Sequence, residues 1–227
     1  MGISSGNGLP FESAQTAASG NRPFSTATVE KKLHFELRFL QAKYPQAEIE
    51  VWAMDEHRLG LLPILRRVWT QVGEQPSALV KHQYKWLWVY SFVHPESGET
   101  YWWLLPFVNT QLFNRVLADF AREFQWGPDK RVLLVVDQAG WHQSQELVIP
   151  EGIDLFELPS HSPELQPAER LWPLTNEVVA NCSPQNLDEL EELLVYRCQQ
   201  LLGQQDLIRG LTCFHWWPRT RRQLTIT

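Results

Sequence analysis

Residues 130–142, KRVLLVVDQAGWH, contain five consecutive aliphatic residues directly before Asp137. Three of the five are β-branched, and such a continuous apolar run is typical of a strand that is buried on both faces of a sheet. In open α/β sheets, ligands and catalytic groups usually gather at the carboxyl ends of the strands. The stretch therefore predicts a central strand that ends at Asp137, whose carboxylate either belongs to a site or caps the helix that follows.

The length and composition of the chain limit its architecture and its partners. With 227 residues, of which 44% are hydrophobic, it can form one sizeable domain with at most a short appendage. Its net charge of −6 provides no global attraction to nucleic acid or to an anionic membrane, so any such binding depends on local basic patches. The eleven tryptophans fit a hydrophobic core best, although some could lie on a nucleic-acid surface or a partner interface.

Cysteines and apolar runs indicate the cellular compartment. Cys182, Cys198 and Cys213 are odd in number and form no CxxC pair, which argues against a disulfide framework and against a thiolate zinc site. No stretch approaches the roughly 18 apolar residues of a membrane span, and residues 1–23 lack the pattern of a secretion signal. We therefore expect a protein of the reducing cytoplasm with no membrane contact.

Periodicity, caps and turn residues divide the chain into an α/β pattern. Residues 1–28 hold few large apolar groups and are expected to be disordered or non-native sequence. Strands are predicted at 47–54, 85–93, 100–108, 132–136 and 153–158, with a further extended segment between 59 and 70. Helices are predicted at 29–44, 110–124, 141–147, 167–180 and 187–202.

This order of elements predicts one mixed sheet, with antiparallel first strands followed by parallel strands, flanked by helices. The domain would span residues 29–206. Residues 207–227 contain Trp216, Trp217 and several arginines. They would form either an aromatic and basic tail for DNA or a partner subunit, or a frayed terminus.

Three acidic residues mark the ends of predicted elements. Asp55 ends the first strand, Asp137 ends the buried strand, and Glu169 lies in the first turn of a helix that Pro167 opens. Because neighbouring parallel strands end at the same edge, the three carboxylates can meet there, provided that a cation offsets their repulsion. Hard divalent cations prefer oxygen ligands, and two such ions about 3.5–4 Å apart can clamp a phosphodiester during its cleavage.

The segments around these acids also carry longer motifs: Met54-Asp55-Glu56, VDQAGWH at 136–142, and LPSHSPELQPAERLW at 158–172, with RRVWTQVGEQP at 66–76. Together they resemble the D-D-E transposases of the mariner superfamily, in their bacterial insertion-sequence branch, over residues 30–202. The interval of 32 residues between Asp137 and Glu169 is close to the usual spacing in that family. The sequence departs from the family pattern at Gln138, His161, Gln166 and Ala168, and Pro173 should kink the helix that bears Glu169. None of these departures removes a carboxylate.

The resemblance implies an RNase H-like fold and a definite chemistry. Asp55, Asp137 and Glu169 would be the catalytic residues and would hold two Mg²⁺ or Mn²⁺ ions. The activity would be metal-dependent cleavage at transposon ends and strand transfer into target DNA. The implied partners are transposon-end and target DNA and a second copy in a homodimer, in a bacterial cytoplasm at the nucleoid.

Candidate DNA contacts lie near these motifs. Arg66, Arg67 and Lys85 could track DNA beside the site, or could be ordinary surface charges, and Arg170 follows Glu169 directly. His142 is interpreted as a phosphate contact or as a residue that supports the metal ligands. Glu56 could likewise lie beside the metal, although a solvated charge is the commoner role.

Two alternatives stay open at this stage. The chain could be an RNase H-like nuclease without strand transfer, or an inactive truncated remnant that acts at most as a DNA-binding or dimerisation module. Relatives place paired helix-turn-helix modules before the catalytic domain, where residues 1–28 stand here. We therefore expect weak recognition of specific DNA ends, unless a separate helix-turn-helix chain supplies it.

Overall fold

The computed structural model describes residues 26–62, 64 and 84–220. Of residues 1–28, which were expected to be disordered or non-native, residues 1–25 lie outside these ranges, whereas residues 26–28 begin a helix. Arg66, Arg67 and nearly all of the predicted extended segment after residue 62 also lie outside the described ranges. Within the described ranges, no helix is long and apolar enough to cross a membrane.

The chain forms a mixed five-stranded sheet with helices on both faces. The strands are β1 (Glu48–Gly60), β2 (Trp86–His94), β3 (Glu99–Leu105), β4 (Lys130–Val136) and β5 (Ile153–Glu157). The α-helices are α1 (Thr26–Lys43), α2 (Thr110–Phe124), α3 (Trp172–Asn176), α4 (Leu187–Leu202) and α5 (Gln205–Thr212). Two 3₁₀ turns, Pro163–Leu165 and Pro167–Leu171, precede α3.

The strand order β3-β2-β1-β4-β5 confirms the predicted sheet. Strands β1, β2 and β3 pair in antiparallel fashion, whereas β1, β4 and β5 are parallel. Strand β4 lies between two parallel neighbours, so its five aliphatic residues are buried on both faces, as the apolar run indicated. The carboxyl ends of β1 and β4 therefore lie side by side.

Two hydrophobic cores cover the sheet. One core joins Val132, Leu134 and Val136 of β4 to the apolar side of α2, and the other joins Leu133 and Val135 to α1, α4 and α5. Alternation along the strand produces this division, because successive side chains point to opposite faces. The predicted N-cap of α2 is confirmed, since the Asn109 side chain accepts the backbone N–H of Leu112 at 2.8 Å.

Three predicted elements differ from the structure. Strand β1 does not end at Met54 but continues to Gly60, because β2 pairs with it to that point while β4 pairs only as far as Ala53. The helix expected at 141–147 is absent, and turns occupy that segment. The long helix expected at 167–180 is a 3₁₀ turn followed by the short α3, in a segment where Pro167 and Pro173 each remove a backbone donor.

The end of the described chain packs against the rest of the domain. Helix α5 crosses the boundary predicted at residue 206, and Trp216 and Trp217 are buried in the same core as α1. These two indoles are therefore unavailable as a nucleic-acid surface in this conformation. The division of the chain at residues 28 and 206 stays a prediction.

A candidate active site at the carboxyl edge of the sheet

Asp55, Asp137 and Glu169 line one cleft of about 420 Å³. The loop 158–163, which follows β5, also lines this cleft. The three acids are far apart in sequence and reach the cleft from β1, from the end of β4 and from the second 3₁₀ turn. The structure thus brings together the three carboxylates that the sequence placed at one edge.

Asp55 is the buried member of the three. It lies within β1, two residues beyond the last pairing with β4. Its Oδ2 accepts a hydrogen bond from the indole N–H of Trp172 at 3.1 Å. Burial raises the pKa of Asp55 well above its usual value, and the charges of Glu56 and Glu169 raise it further.

Asp137 is more accessible than Asp55, with half of its side chain exposed. Its Oδ1 accepts the backbone N–H of Ala139 at 3.0 Å and lies 2.8 Å from Nδ1 of His142. Burial alone would raise the pKa of this carboxyl, but the hydrogen bonds from His142 and Ala139 hold the pKa below its usual value. Asp137 is therefore an anion that the protein itself stabilises.

Glu169 depends on Gln166 for its position. The Gln166 side chain is buried, donates from Nε2 to the carbonyl oxygen of Met54 at 2.9 Å and also caps the 3₁₀ turn. This bond ties the turn that bears Glu169 to β1, one residue before Asp55. Burial raises the pKa of Glu169; Arg170 opposes this rise, and the charge of Asp137 adds to it.

Glu56, Trp141 and His142 form a hydrogen-bonded group beside the cleft. Oε1 of Glu56 lies 2.9 Å from the indole nitrogen of Trp141 and 3.1 Å from Nε2 of His142. Burial lowers the pKa of His142, but hydrogen bonds to Asp137 and Glu56 and their charges together raise it to about 10. The imidazole is therefore charged at neutral pH and donates to both acids.

This group corrects two interpretations from the sequence. Glu56 is not a solvated charge, because only 3% of its side chain is exposed. His142 is not a phosphate contact, because its side chain is fully buried, although its supporting role beside Asp137 agrees with the geometry. The doublet at 55–56 offered a signal, since consecutive strand residues must face opposite sides of the sheet.

Two other proposed DNA contacts, Lys85 and Arg170, are not among the residues that line the cleft. Lys85 and Arg170 are exposed, and the guanidinium of Arg170 lies over the ring of Phe214 at 5.5 Å from its centroid. Among the described residues that line the cleft there is no lysine or arginine. The described lining of the cleft therefore offers no lysine or arginine to offset the three carboxylates, and the charged His142 contacts Asp137 from outside this lining.

Oxygen donors at the cleft fit hard divalent cations such as Mg²⁺ or Mn²⁺. Glu56, Asp137 and His142 also bring ligand atoms within 4.8 Å of one another. We do not assign a metal to that second group, because the two ring nitrogens of the buried His142 are already engaged with Glu56 and Asp137. The cleft side of Asp137, together with Asp55 and Glu169, is the better donor set.

Comparison with known proteins gives one family and one fold. The model of the family described as "DDE superfamily endonuclease" matches residues 50–191. The chain is 36% identical over 87 residues to the uncharacterized protein y4pE/y4sA of Sinorhizobium fredii (strain NBRC 101917 / NGR234), a match that covers 38% of this chain and 63% of that relative. A crystal structure of the Mos1 mariner paired end complex with Mn superimposes with a TM-score of 0.50 and 12% identity, over 93% of this chain and 67% of that one. At this identity the likeness shows the fold, which is RNase H-like as expected.

Proposed function

The chain belongs to the DDE superfamily endonucleases, and on that premise we propose that it is the catalytic domain of a DNA transposase. Such a domain cleaves DNA at transposon ends and joins the resulting 3′-hydroxyl to target DNA. One observation carries the proposal: three carboxylates from distant parts of the chain line a single cleft at the carboxyl edge of the sheet.

We propose that Asp55, Asp137 and Glu169 are the catalytic residues and hold two Mg²⁺ or Mn²⁺ ions. The all-oxygen donor set fits these ions, and the raised pKa values of Asp55 and Glu169 reflect burial and crowding of like charges that a bound cation would relieve. When bound, the ions supply Lewis-acid activation of the attacking oxygen and stabilise charge on the phosphodiester.

The residues of the chain prepare this cleft for a phosphodiester. Trp172 orients Asp55, His142 orients Asp137, and Gln166 holds the turn that carries Glu169. Loop 158–163 adds serine and histidine side chains to the lining of the cleft, where they can donate hydrogen bonds to a DNA strand.

The proposed partners are transposon-end DNA, target DNA and a second copy of the chain in a homodimer. A separate helix-turn-helix chain would supply recognition of specific ends. The proposed DNA contacts of this chain are Arg66, Arg67, Lys85 and Arg170, which would bind phosphates without reading the base sequence. The chain spans 63% of the length of the curated relative, so the activity of the whole protein belongs to this proposal.

The test uses an oligonucleotide that ends in a 3′-hydroxyl, a plasmid target and Mn²⁺. We expect joined product from the original chain and none from Asp137→Asn, which keeps the side-chain shape but removes the charge. Asp206→Asn is the matched control, because it removes an exposed carboxylate that does not line the cleft. Metal-dependent cutting without joining would favour the nuclease alternative, and cutting by Asp137→Asn would overturn the site assignment.

A further inference from the structure

We infer that Glu56 is a positioning residue that acts through His142 to hold the Asp137 carboxylate in a single orientation in the cleft. This inference rests on the proposed function for the role of Asp137, and on the geometry alone for the way in which Asp137 is held. The group of Glu56, His142 and Asp137 is called the carboxylate clamp below.

The alternation of side chains along β1 places Asp55 and Glu56 on opposite faces of the sheet. Trp52 and Met54 lie in the core that includes α2, and Ala53 lies in the opposite core. Glu56 therefore points to the same face of the sheet as Trp52 and Met54. Asp55 points to the opposite face, where the indole of Trp172 donates to it. The two adjacent acids are thus separated by the sheet, and only Asp55 lines the cleft.

His142 connects the two sides. Its Nε2 lies 3.1 Å from Oε1 of Glu56, and its Nδ1 lies 2.8 Å from Oδ1 of Asp137. The ring packs on Phe113 with centroids 4.5 Å apart, and the indole nitrogen of Trp141 donates to the same Glu56 oxygen. With each ring nitrogen engaged and the ring packed, the imidazole has one orientation available.

The clamp determines which oxygen of Asp137 serves the cleft. Oδ1 receives the bond from His142 and also the bond from the Ala139 backbone N–H. Oδ2 is then the oxygen that can meet a ligand in the cleft. Residues that hydrogen-bond to metal ligands in this way commonly change metal affinity about 10–100-fold when they are replaced.

If Glu56 and His142 only stabilised the fold, replacing Glu56 would change the stability of the chain but not its affinity for Mn²⁺. Buried ion pairs often add little net stability, because both charges lose their hydration. The chain contains a useful comparison at the opposite end of β4, where Arg131 and Asp154 form a mostly buried pair at 2.7 Å. Breaking that pair should perturb the fold without touching Asp137.

The experiment compares Glu56→Gln with Asp154→Asn in the full 227-residue chain. Gln keeps the size of the side chain and an acceptor oxygen, but it removes the negative charge that orients His142. We expect Glu56→Gln to weaken Mn²⁺ binding, measured by isothermal titration calorimetry, by about 10-fold or more. Asp154→Asn should bind Mn²⁺ like the original chain. If the original chain binds Mn²⁺, equal affinity in Glu56→Gln would overturn the inference, as would an equal loss in both variants.

A second readout needs no metal. The Ala139 amide bonds to Oδ1 of Asp137, so its hydrogen exchange reports whether that carboxylate is held. We expect faster exchange at Ala139 in Glu56→Gln and unchanged exchange in Asp154→Asn. If Glu56→Gln does not fold, Glu56→Asp, which keeps the charge but shortens its reach, carries the same comparison and should give a smaller loss of protection.

The two readouts separate the clamp from the proposed function. If the chain binds no Mn²⁺ and joins no DNA, yet shows the expected change in hydrogen exchange at Ala139, the result would support the clamp and contradict the proposed function. If the chain joins DNA, but its Ala139 amide exchanges at the same rate in every variant, the result would support the proposed function and contradict the clamp.

Discussion

The indole N–H of Trp172 donates a hydrogen bond to Oδ2 of Asp55 at 3.1 Å. Trp172 begins the helix that follows the turn bearing Glu169, so this bond couples the positions of two acids that are more than one hundred residues apart. His57 stacks on the same indole, with ring centroids 4.9 Å apart, and its Nε2 lies 2.9 Å from Oδ1 of Asn176. Trp172 therefore helps to position both Asp55 and Glu169.

Replacement of Trp172 by Phe tests this support. The variant keeps an aromatic ring for His57 but leaves the buried Asp55 carboxylate without its indole donor, which should cost about 1–3 kcal/mol of folding free energy. Urea unfolding at neutral pH measures the loss. Trp102→Phe is the control, because it removes an indole bond to the neutral Thr100 hydroxyl, and it should cost less. An equal cost for both variants would contradict a special role for the bond to Asp55.

The metal-free chain should gain stability when Asp55 is replaced by Asn. Because burial and the charges of Glu56 and Glu169 raise the pKa of Asp55, its ionised form destabilises the folded state. The stability that proton binding provides is present in acid and is lost as the pH rises through the folded-state pKa. In EDTA we expect Asp55→Asn to unfold at higher urea than the original chain at neutral pH, with the difference vanishing in acid. A variant less stable than the original chain at neutral pH would show that the repulsion is not the dominant effect.

The charge on His142 predicts a loss of stability in alkali. Its pKa is raised from an ordinary value of 6.5 to about 10, so its contribution is complete below 6.5 and disappears as the pH rises through about 10. We expect the melting temperature of the metal-free chain to fall across this interval, and to fall less steeply for His142→Gln. Calorimetric melting curves at several pH values measure the difference. Parallel curves for the two proteins would refute the assignment of a charged imidazole.

Two glycines test whether α5 belongs to the domain. Gly98 has φ +79° in the turn between β2 and β3, and a methyl group there would collide with the carbonyl oxygen of Gln205 at the start of α5. Gly98→Ala should therefore destabilise the chain by more than about 1 kcal/mol, because alanine disfavours the positive φ at this position and its methyl group would not fit beside α5. Gly210, within α5, has nothing within 4 Å of an added Cβ. Gly210→Ala should stabilise the chain by about 0.5–1 kcal/mol in chemical denaturation. A neutral Gly98→Ala would mean that α5 does not hold the position described here.

Local patterns predicted much of the fold. The apolar run before Asp137, the aromatic hairpin and the Asn109 cap were sufficient for β4, β2, β3 and α2, since periodicity and capping act over a few residues. The prediction was wrong for the end of β1 and for the segment after Pro167. In those places the partner strand and the prolines decided the structure, and propensity did not. The predicted meeting of Asp55, Asp137 and Glu169 at one edge followed from strand ends and agrees with the cleft.

The sequence by itself determined the order and type of most elements and the edge at which three acids collect, because side-chain period, caps and prolines are local properties. Only the tertiary structure decided that Glu56 is buried behind the sheet, that His142 joins it to Asp137, and that Trp172 supports Asp55. These contacts depend on which distant segment covers each face of a strand. That choice follows from strand pairing and core packing across the whole domain, and a one-residue alternation along β1 is enough to give neighbouring acids different roles.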